Sequence, residues 1–369
     1  MRIGVPRERK DGERRVGLVP AAVAALLGDG HQIVVERGAG EEVGFDDTAY
    51  AQHGATLVDD ARPVYECELI VKVKELQTDE YRLLRAGTTV FGFAQLGRDR
   101  ALQDAVLAAR VTCIAYETVT AQDGMLPLLA PMSAIAGRLV PLIASSLLMT
   151  DHEGSGVLFP GTEGVAPARV VVIGAGVVAR EAARVAVELG ASVSAFGRRS
   201  DRLEALRGHC RGLPSTAILE PHALAAAIAD ADVVVGAVLE PGKLSPTLVT
   251  RAMLRAMRPG SAFIDVGIDQ GGIAETSRAT TLSHPTYVEE GVTHYCVPNM
   301  PSLVARSATL ALTRATLPYV RTLAQIGVDA ALRADAGLRA GLQVRDGAVT
   351  HAGLAADRAR GMPPVRAQA

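Results

Sequence analysis

Tryptophan is absent, and aromatic residues make up only 4 % of the 369-residue chain. That scarcity argues against a base-stacking platform for single-stranded nucleic acid. An excess of positive charge is missing too. Thirty-eight Lys and Arg stand against 40 Asp and Glu, for a formal charge of −2. Neither a basic field for nucleic acid nor a long acidic tail is present. The longest apolar stretch, Leu139 to Met149, contains Pro141 and falls short of the about 20 residues a membrane helix needs. The four cysteines, Cys67, Cys113, Cys210 and Cys296, form no C-x-x-C pair. That spacing speaks against a zinc site or a disulfide framework and for a reducing compartment. The start, Met1 to Pro6 followed by Arg7, Glu8, Arg9 and Lys10, has no signal-peptide pattern. Together these features predict a cytoplasmic chain with no membrane and no nucleic acid as partner. Lysine is also scarce: Lys10, Lys72, Lys74 and Lys243 are the only four.

What the chain does have is 49 % hydrophobic residues, enough for a sizeable core, and a length typical of about two domains. Apolar runs that read as strands begin at Gln32, Leu69 (through Val73), Thr88 and Val111. Helical patterns from Pro20 to Gly28 and Arg100 to Ala109 lie between them. Such alternation predicts a parallel sheet covered by helices. A helical pattern follows from about Ser133 to Met149. A second series then places strands at Arg169–Ile173, Ser192–Phe196, Asp232–Val235 and Ala262–Val266. After about residue 305 the pattern is helical again, through Tyr319 to Ile326, and the tail past Gly361, with Pro363 and Pro364, is expected to fray.

Val171-Val172-Ile173-Gly174-Ala175-Gly176-Val177-Val178-Ala179 is a strand running into G-x-G-x-x-A, followed by a helical pattern and a further strand. That order predicts a dinucleotide site. Gly174 permits the tight turn, Gly176 lets a pyrophosphate approach the backbone, and Ala179 keeps helix close to strand. The phosphates would rest on the helix N-terminus. The second strand ends Phe196-Gly197-Arg198-Arg199, where an NAD site usually has an acidic residue for the ribose. Glycine leaves room for a 2′-phosphate and guanidinium groups bind phosphate. NADP(H) is therefore the expected cofactor, with NAD(H) as the alternative.

Gly4-Val5-Pro6-Arg7-Glu8 and Glu13-Arg14-Arg15-Val16-Gly17-Leu18-Val19-Pro20 resemble the opening of the alanine dehydrogenases. That family includes the dinucleotide-binding part of nicotinamide nucleotide transhydrogenase. Val71 to Glu75, Ala115 to Val119 and Leu126 to Arg138 continue the resemblance in register. Ile268 to Gly272, Ser283 to Thr286 and Tyr295 to Pro301 extend it. The resemblance reaches to about Val344. It implies an α/β architecture of two Rossmann-like doubly wound domains. The dinucleotide-binding domain, residues 128–305, is inserted into a discontinuous catalytic domain of residues 1–127 and 306–369. It further implies a homo-oligomer, hexamer or dimer, with the substrate held in the cleft between the lobes.

By the same resemblance Arg15 holds the substrate carboxylate and Lys74 lies by the substrate carbonyl. Read from the residues alone, Arg15 is as readily a surface arginine beside Arg14. Lys72 and Lys74, two apart on an expected strand, should share a face, repel, and lower each other's pKa. The resemblance assigns Asp269 to the nicotinamide and the substrate amine, and Asn299 with Met300 to closure of the site. It gives Met132 to the substrate, and Ser133, Val177, Val178 and Val238 to the cofactor.

One position departs. Phe91-Gly92-Phe93-Ala94-Gln95-Leu96 aligns with the segment where alanine dehydrogenases carry the catalytic histidine. Glutamine forms hydrogen bonds but does not exchange protons near pH 7. None of the eight histidines lies close in sequence, and His53 and His152 could approach only through the fold. Loss of an acid–base group costs about 10²–10⁴-fold. Gln95 therefore favours an NAD(P)H-dependent amino-acid dehydrogenase or imine reductase acting on a small amino, oxo or imino acid. Alternatives are an alanine dehydrogenase using NAD and a non-catalytic nucleotide-binding relative. A transhydrogenase subunit fits less well, since no membrane span follows.

Overall fold

The structure is a computed structural model, and it describes residues 1–238 and 244–360. Lys243 and the expected frayed tail lie outside the described residues. The described residues divide into two compact units, 1–132 with 301–360, and 133–300.

The first unit holds β1 (Arg2–Val5), β2 (Gln32–Glu36), β3 (Thr56–Val58), β4 (Leu69–Val71), β5 (Thr89–Gly92) and β6 (Thr112–Ala115). All six are parallel, in the order β6-β5-β4-β1-β2-β3. The second unit repeats this plan. It contains β7 (Arg169–Ile173), β8 (Ser192–Gly197), β9 (Ser215–Ile218), β10 (Val233–Gly236), β11 (Ala262–Asp265), β12 (Thr286–Glu289) and β13 (Val292–Tyr295). Its order is β12-β13-β11-β10-β7-β8-β9, with only β12 antiparallel. Both sheets are doubly wound in the order 6-5-4-1-2-3. The central strands are buried along their length, as Val170 to Ile173 shows, because helices cover both faces.

The helical pattern expected from about residue 305 through Ile326 is the helix Ala305–Ile326. Beyond it, β14 (Leu342–Arg345) pairs antiparallel with β6 and β15 (Ala348–Val349) antiparallel with β14, extending the first sheet. Asp346 and Gly347 join them at φ +51° and +82°. Both central residues are left-handed, the requirement of a tight hairpin turn that Asp-Gly meets.

The helix beginning near residue 133 starts at Ala130 and runs to Leu147. Among the described residues it is the one helix long and apolar enough to cross a membrane, so the apolar run was a poor guide to its length. Its Ala136, Val140, Ala144 and Leu147 lie in the core of the second unit. Its Arg138 pairs with Glu181 at 2.6 Å.

Candidate active site

In a doubly wound sheet, ligands bind beyond the carboxyl ends of the strands where the strand order reverses. In the first unit that point lies between β1 and β4. Glu8 follows β1, and its carboxylate accepts from the backbone N–H of Val73 (2.6 Å) and Lys74 (3.2 Å) just past β4. Lys72 donates to both oxygens of Glu80 (2.8 and 2.9 Å) and lies 3.8 Å from Glu8. Tyr65 Oη and the Gln77 N–H also donate to Glu80.

Lys72 is 1 % exposed, and the expected depression of its pKa does not occur. Burial alone would lower it, but the Glu8 and Glu80 carboxylates overcome that and hold it above its ordinary value. Glu8 is raised as well, from 4.5 to about 7. Burial is the main cause, with Glu13 and Glu80 adding to it and Lys72 and the Val73 N–H opposing it.

Lys74 is buried and lies among carboxylates. With Lys10, its charge outweighs the burial of Glu75 and holds that carboxyl low. Lys74 also opposes the upward shift that burial imposes on Glu117.

Arg15 is 2 % exposed, which removes the surface reading. Its Nε and Nη2 grip Glu13 bidentately at 2.7 and 2.6 Å, and Nη1 reaches the sulfur of Met132 at 3.0 Å. The structure thus brings these two expected substrate residues together. The Arg15 loop is tied down at three points. Gly12 accepts from Ser302 (2.5 Å), Val16 donates to Thr309 (3.4 Å), and Gly17 sits so close to β4 that a Cβ would fall 2.3 Å from the Val71 carbonyl oxygen.

Gln95 occupies a left-handed turn, φ +46° and ψ +30°. Glu117, just past β6, stabilises this turn. Its carboxylate accepts from the N–H of Gln95 (2.7 Å) and of Ala94 (3.2 Å). Gln95 also lines a small polar pocket with Glu75, Gln77, Thr78, Tyr81 and Asp99. His53 ends a surface helix of the first unit, and His152 is exposed in the second.

In the second unit the order reverses between β7 and β10. Gly174 has φ +129°, and a Cβ there would meet the Ala237 carbonyl oxygen at 2.3 Å. Only glycine fits this turn. Gly176 ends the turn, and a Cβ on it would meet nothing within 4 Å. The helix Val177–Glu188 starts there with no side-chain cap, and Ala179 is fully buried. Open space before Gly176 and an uncapped helix start suit a pyrophosphate.

Gly197 closes β8, but a Cβ there would crowd Leu203 at 3.1 Å, so this glycine also serves packing. Arg198 and Arg199 are exposed, and Arg199 forks onto Asp201 at 3.0 and 2.5 Å. Val238 follows β10, and Ser133 lies half-buried in the helix Ala130–Leu147. Asp269 is half-buried in the short helix Val266–Gln270. Asn299 is left-handed at φ +71°, before the buried Met300.

Glu8, Glu13, Glu80, Glu117 and Asp265 went unread in the sequence. Asp265 ends β11 and is 1 % exposed. It accepts from Gly267 N (3.0 Å), Ile273 N (2.7 Å) and Ser277 Oγ (2.6 Å), and so ties both ends of the loop that carries Asp269. The available signal was position: each of Glu8, Glu117 and Asp265 stands at or just beyond the carboxyl end of a strand.

Residues 4–136 match the family model of the alanine dehydrogenase/PNT N-terminal domain, and residues 141–352 that of the C-terminal domain. The chain is 47 % identical to the alanine dehydrogenase of Halomonas elongata over 356 residues, 96 % of each chain. It is 43 % identical to that of Bacillus subtilis, over 97 % of this chain and 94 % of the other. A solved L-alanine dehydrogenase superposes with a TM-score of 0.93 at 41 % identity, covering 98 % of this chain and 99 % of that one. A transhydrogenase from Sinorhizobium meliloti gives 0.81 at 25 %, covering 95 % and 99 %. The two doubly wound units, and near-full-length likeness at this level of identity, place the chain in the alanine dehydrogenase/PNT family, among oxidoreductases of the amino-acid dehydrogenase class.

Proposed function

We propose that this chain interconverts L-alanine and pyruvate with a nicotinamide nucleotide as redox partner. The observation that carries the reading is a pair of buried cations, Arg15 and Lys74. They stand on loops that Glu8 and Gly17 tie to the end of β4. A guanidinium suits the carboxylate of an oxo acid and an ammonium suits its carbonyl oxygen or imine nitrogen. Met132 packs beside Arg15 and borders the methyl group. Asp269 and Asn299, on the second unit, orient the nucleotide and the amine. A nicotinamide nucleotide, when bound, supplies hydride to the carbon bearing nitrogen or removes it.

Gly174, Gly176, Val177, Val178 and Ala179 form the phosphate cradle, with Ser133 and Val238 beside the nucleotide. Gly197, Arg198 and Arg199 favour NADP(H), with Arg199 exchanging Asp201 for a 2′-phosphate. The ratio of kcat/KM with NADPH to that with NADH tests this preference, and a clear NADH preference ends it.

A second reading, reduction of a preformed imine, draws support from Gln95 alone, because that reaction needs fewer proton transfers. The name alanine dehydrogenase on full-length relatives weighs for the first reading. A panel of pyruvate, other oxo acids with ammonia, and cyclic imines separates the two. If pyruvate with ammonia turns over well and Gln95→His adds nothing, proton transfer runs without an imidazole and the imine reading falls. If only cyclic imines react, the alanine reading falls.

A further inference from the structure

Glu8 sits at the strand-order reversal, where it ties the Lys74 segment to the end of β4 but takes no part in proton transfer in either reading above. Its two oxygens take the N–H groups of Val73 and Lys74, so one carboxylate bridges the end of β1 and the segment leaving β4. An ionised carboxylate offers both oxygens as strong acceptors, whereas protonation turns one of them into a hydroxyl donor and a weaker acceptor. We propose that Glu8 is a positioning residue whose ionised carboxylate fixes the Lys74 backbone for the reaction, and that its protonation withdraws Lys74 and turns the site down. This rests on the reading that Lys74 works on the substrate.

The charges facing Glu8 come from several elements. Lys72 lies past β4, Glu80 lies beyond it, and Glu13 is on the Arg15 loop. The hydroxyls of Tyr65 and Tyr116 also feel its charge. Lys72 favours ionised Glu8, while burial, Glu13 and Glu80 favour the acid, and the balance puts its titration at about 7. No imidazole stands at position 95 to mask that titration. Glu117 is raised by burial as well, and the Glu8→Gln profile separates its titration from that of Glu8.

The test is reductive amination of pyruvate by the full chain, at constant free ammonia, followed by loss of nicotinamide absorbance. An acid of pKa about 7 goes from about 9 % to about 91 % ionised between pH 6 and pH 8, so wild-type kcat/KM should rise about tenfold across that span. Glu8→Gln should show little of that rise and stay below wild type at pH 8, while melting no lower than wild type there. A Glu8→Gln chain that keeps the tenfold limb overturns the proposal. Should Glu8→Gln fail to fold, Glu80→Gln decides. Removing that like charge frees Lys72 for Glu8 and should move the limb to lower pH, and an unmoved limb again overturns it. Lys74→Met separates the two levels of the argument. If that variant keeps wild-type kcat/KM, the role given to Lys74 is lost. If it is inactive while Glu8→Gln titrates like wild type, only the role given to Glu8 is lost.

Discussion

Replacing Asp265 by alanine is the sharpest structural test of how the second unit presents Asp269. The carboxylate is 1 % exposed and accepts three hydrogen bonds, two of them from the backbone N–H groups of Gly267 and Ile273. Alanine leaves both N–H groups buried without an acceptor, at about 1–3 kcal/mol each. One term works in the other direction. Burial raises the Asp265 carboxyl above its ordinary value despite its donors, so removing it relieves a desolvation cost. The expected net loss is about 2–4 kcal/mol. Urea unfolding followed by circular dichroism should show it as a lower midpoint for the transition of the second unit. Two units can unfold separately, so the traces are to be fitted without assuming one step. Nucleotide affinity, measured by quenching of reduced-nicotinamide fluorescence, should weaken in parallel as the 266–273 loop loses its tie. A change below about 0.5 kcal/mol, within the range of ordinary surface substitutions, would refute the idea that this carboxylate holds the loop.

Two other substitutions probe the two strand-order reversals. Gly174→Ala places a methyl group 2.3 Å from the Ala237 carbonyl oxygen and should lower nucleotide affinity by at least about tenfold, as titration calorimetry would show. Lys72→Met strands Glu80 in the interior and should destabilise the first unit by about 3–5 kcal/mol in urea unfolding, whereas Lys72→Met with Glu80→Gln should recover more than half of that. A double variant as unstable as the single one would rule out the ion pair as the source. Stability also carries a sign with pH. Glu8 is raised from 4.5 to about 7 on folding, so its contribution is complete below pH 4.5 and is lost as pH rises through 7. Wild type should therefore lose more stability between pH 5 and pH 8 than Glu8→Gln does, as paired melting curves will show.

The dinucleotide turn could be read directly because each of its residues answers a local steric demand. Gly174 must be left-handed, and Ala179 must be small where helix meets strand. Most of the parallel strands were legible because they sit in apolar runs. β1, β3, β9 and the β12–β13 hairpin were not, since segments such as Arg2–Val5 and Ser215–Ile218 carry only two and one branched aliphatic residues and form no continuous apolar run. The carboxylates around Lys72 and Lys74 escaped for another reason. Glu8, Glu13, Glu80 and Glu117 are scattered in sequence, and placing β4 beside β1 brings Glu8 to Lys72. A rule based on two neighbouring lysines gave the wrong sign for Lys72, because it counted only neighbours along the chain.

The left-handed backbone at residue 95 has an evolutionary corollary. A conformation with positive φ is tolerated by glycine and by histidine, asparagine or aspartate better than by valine, isoleucine or threonine. Glu117 secures that bend through main-chain N–H groups alone, whatever side chain it bears. Imidazole and carboxamide can therefore replace one another there through a single codon change with no rebuilding of the loop, which gives the lineage an inexpensive way to retune proton supply.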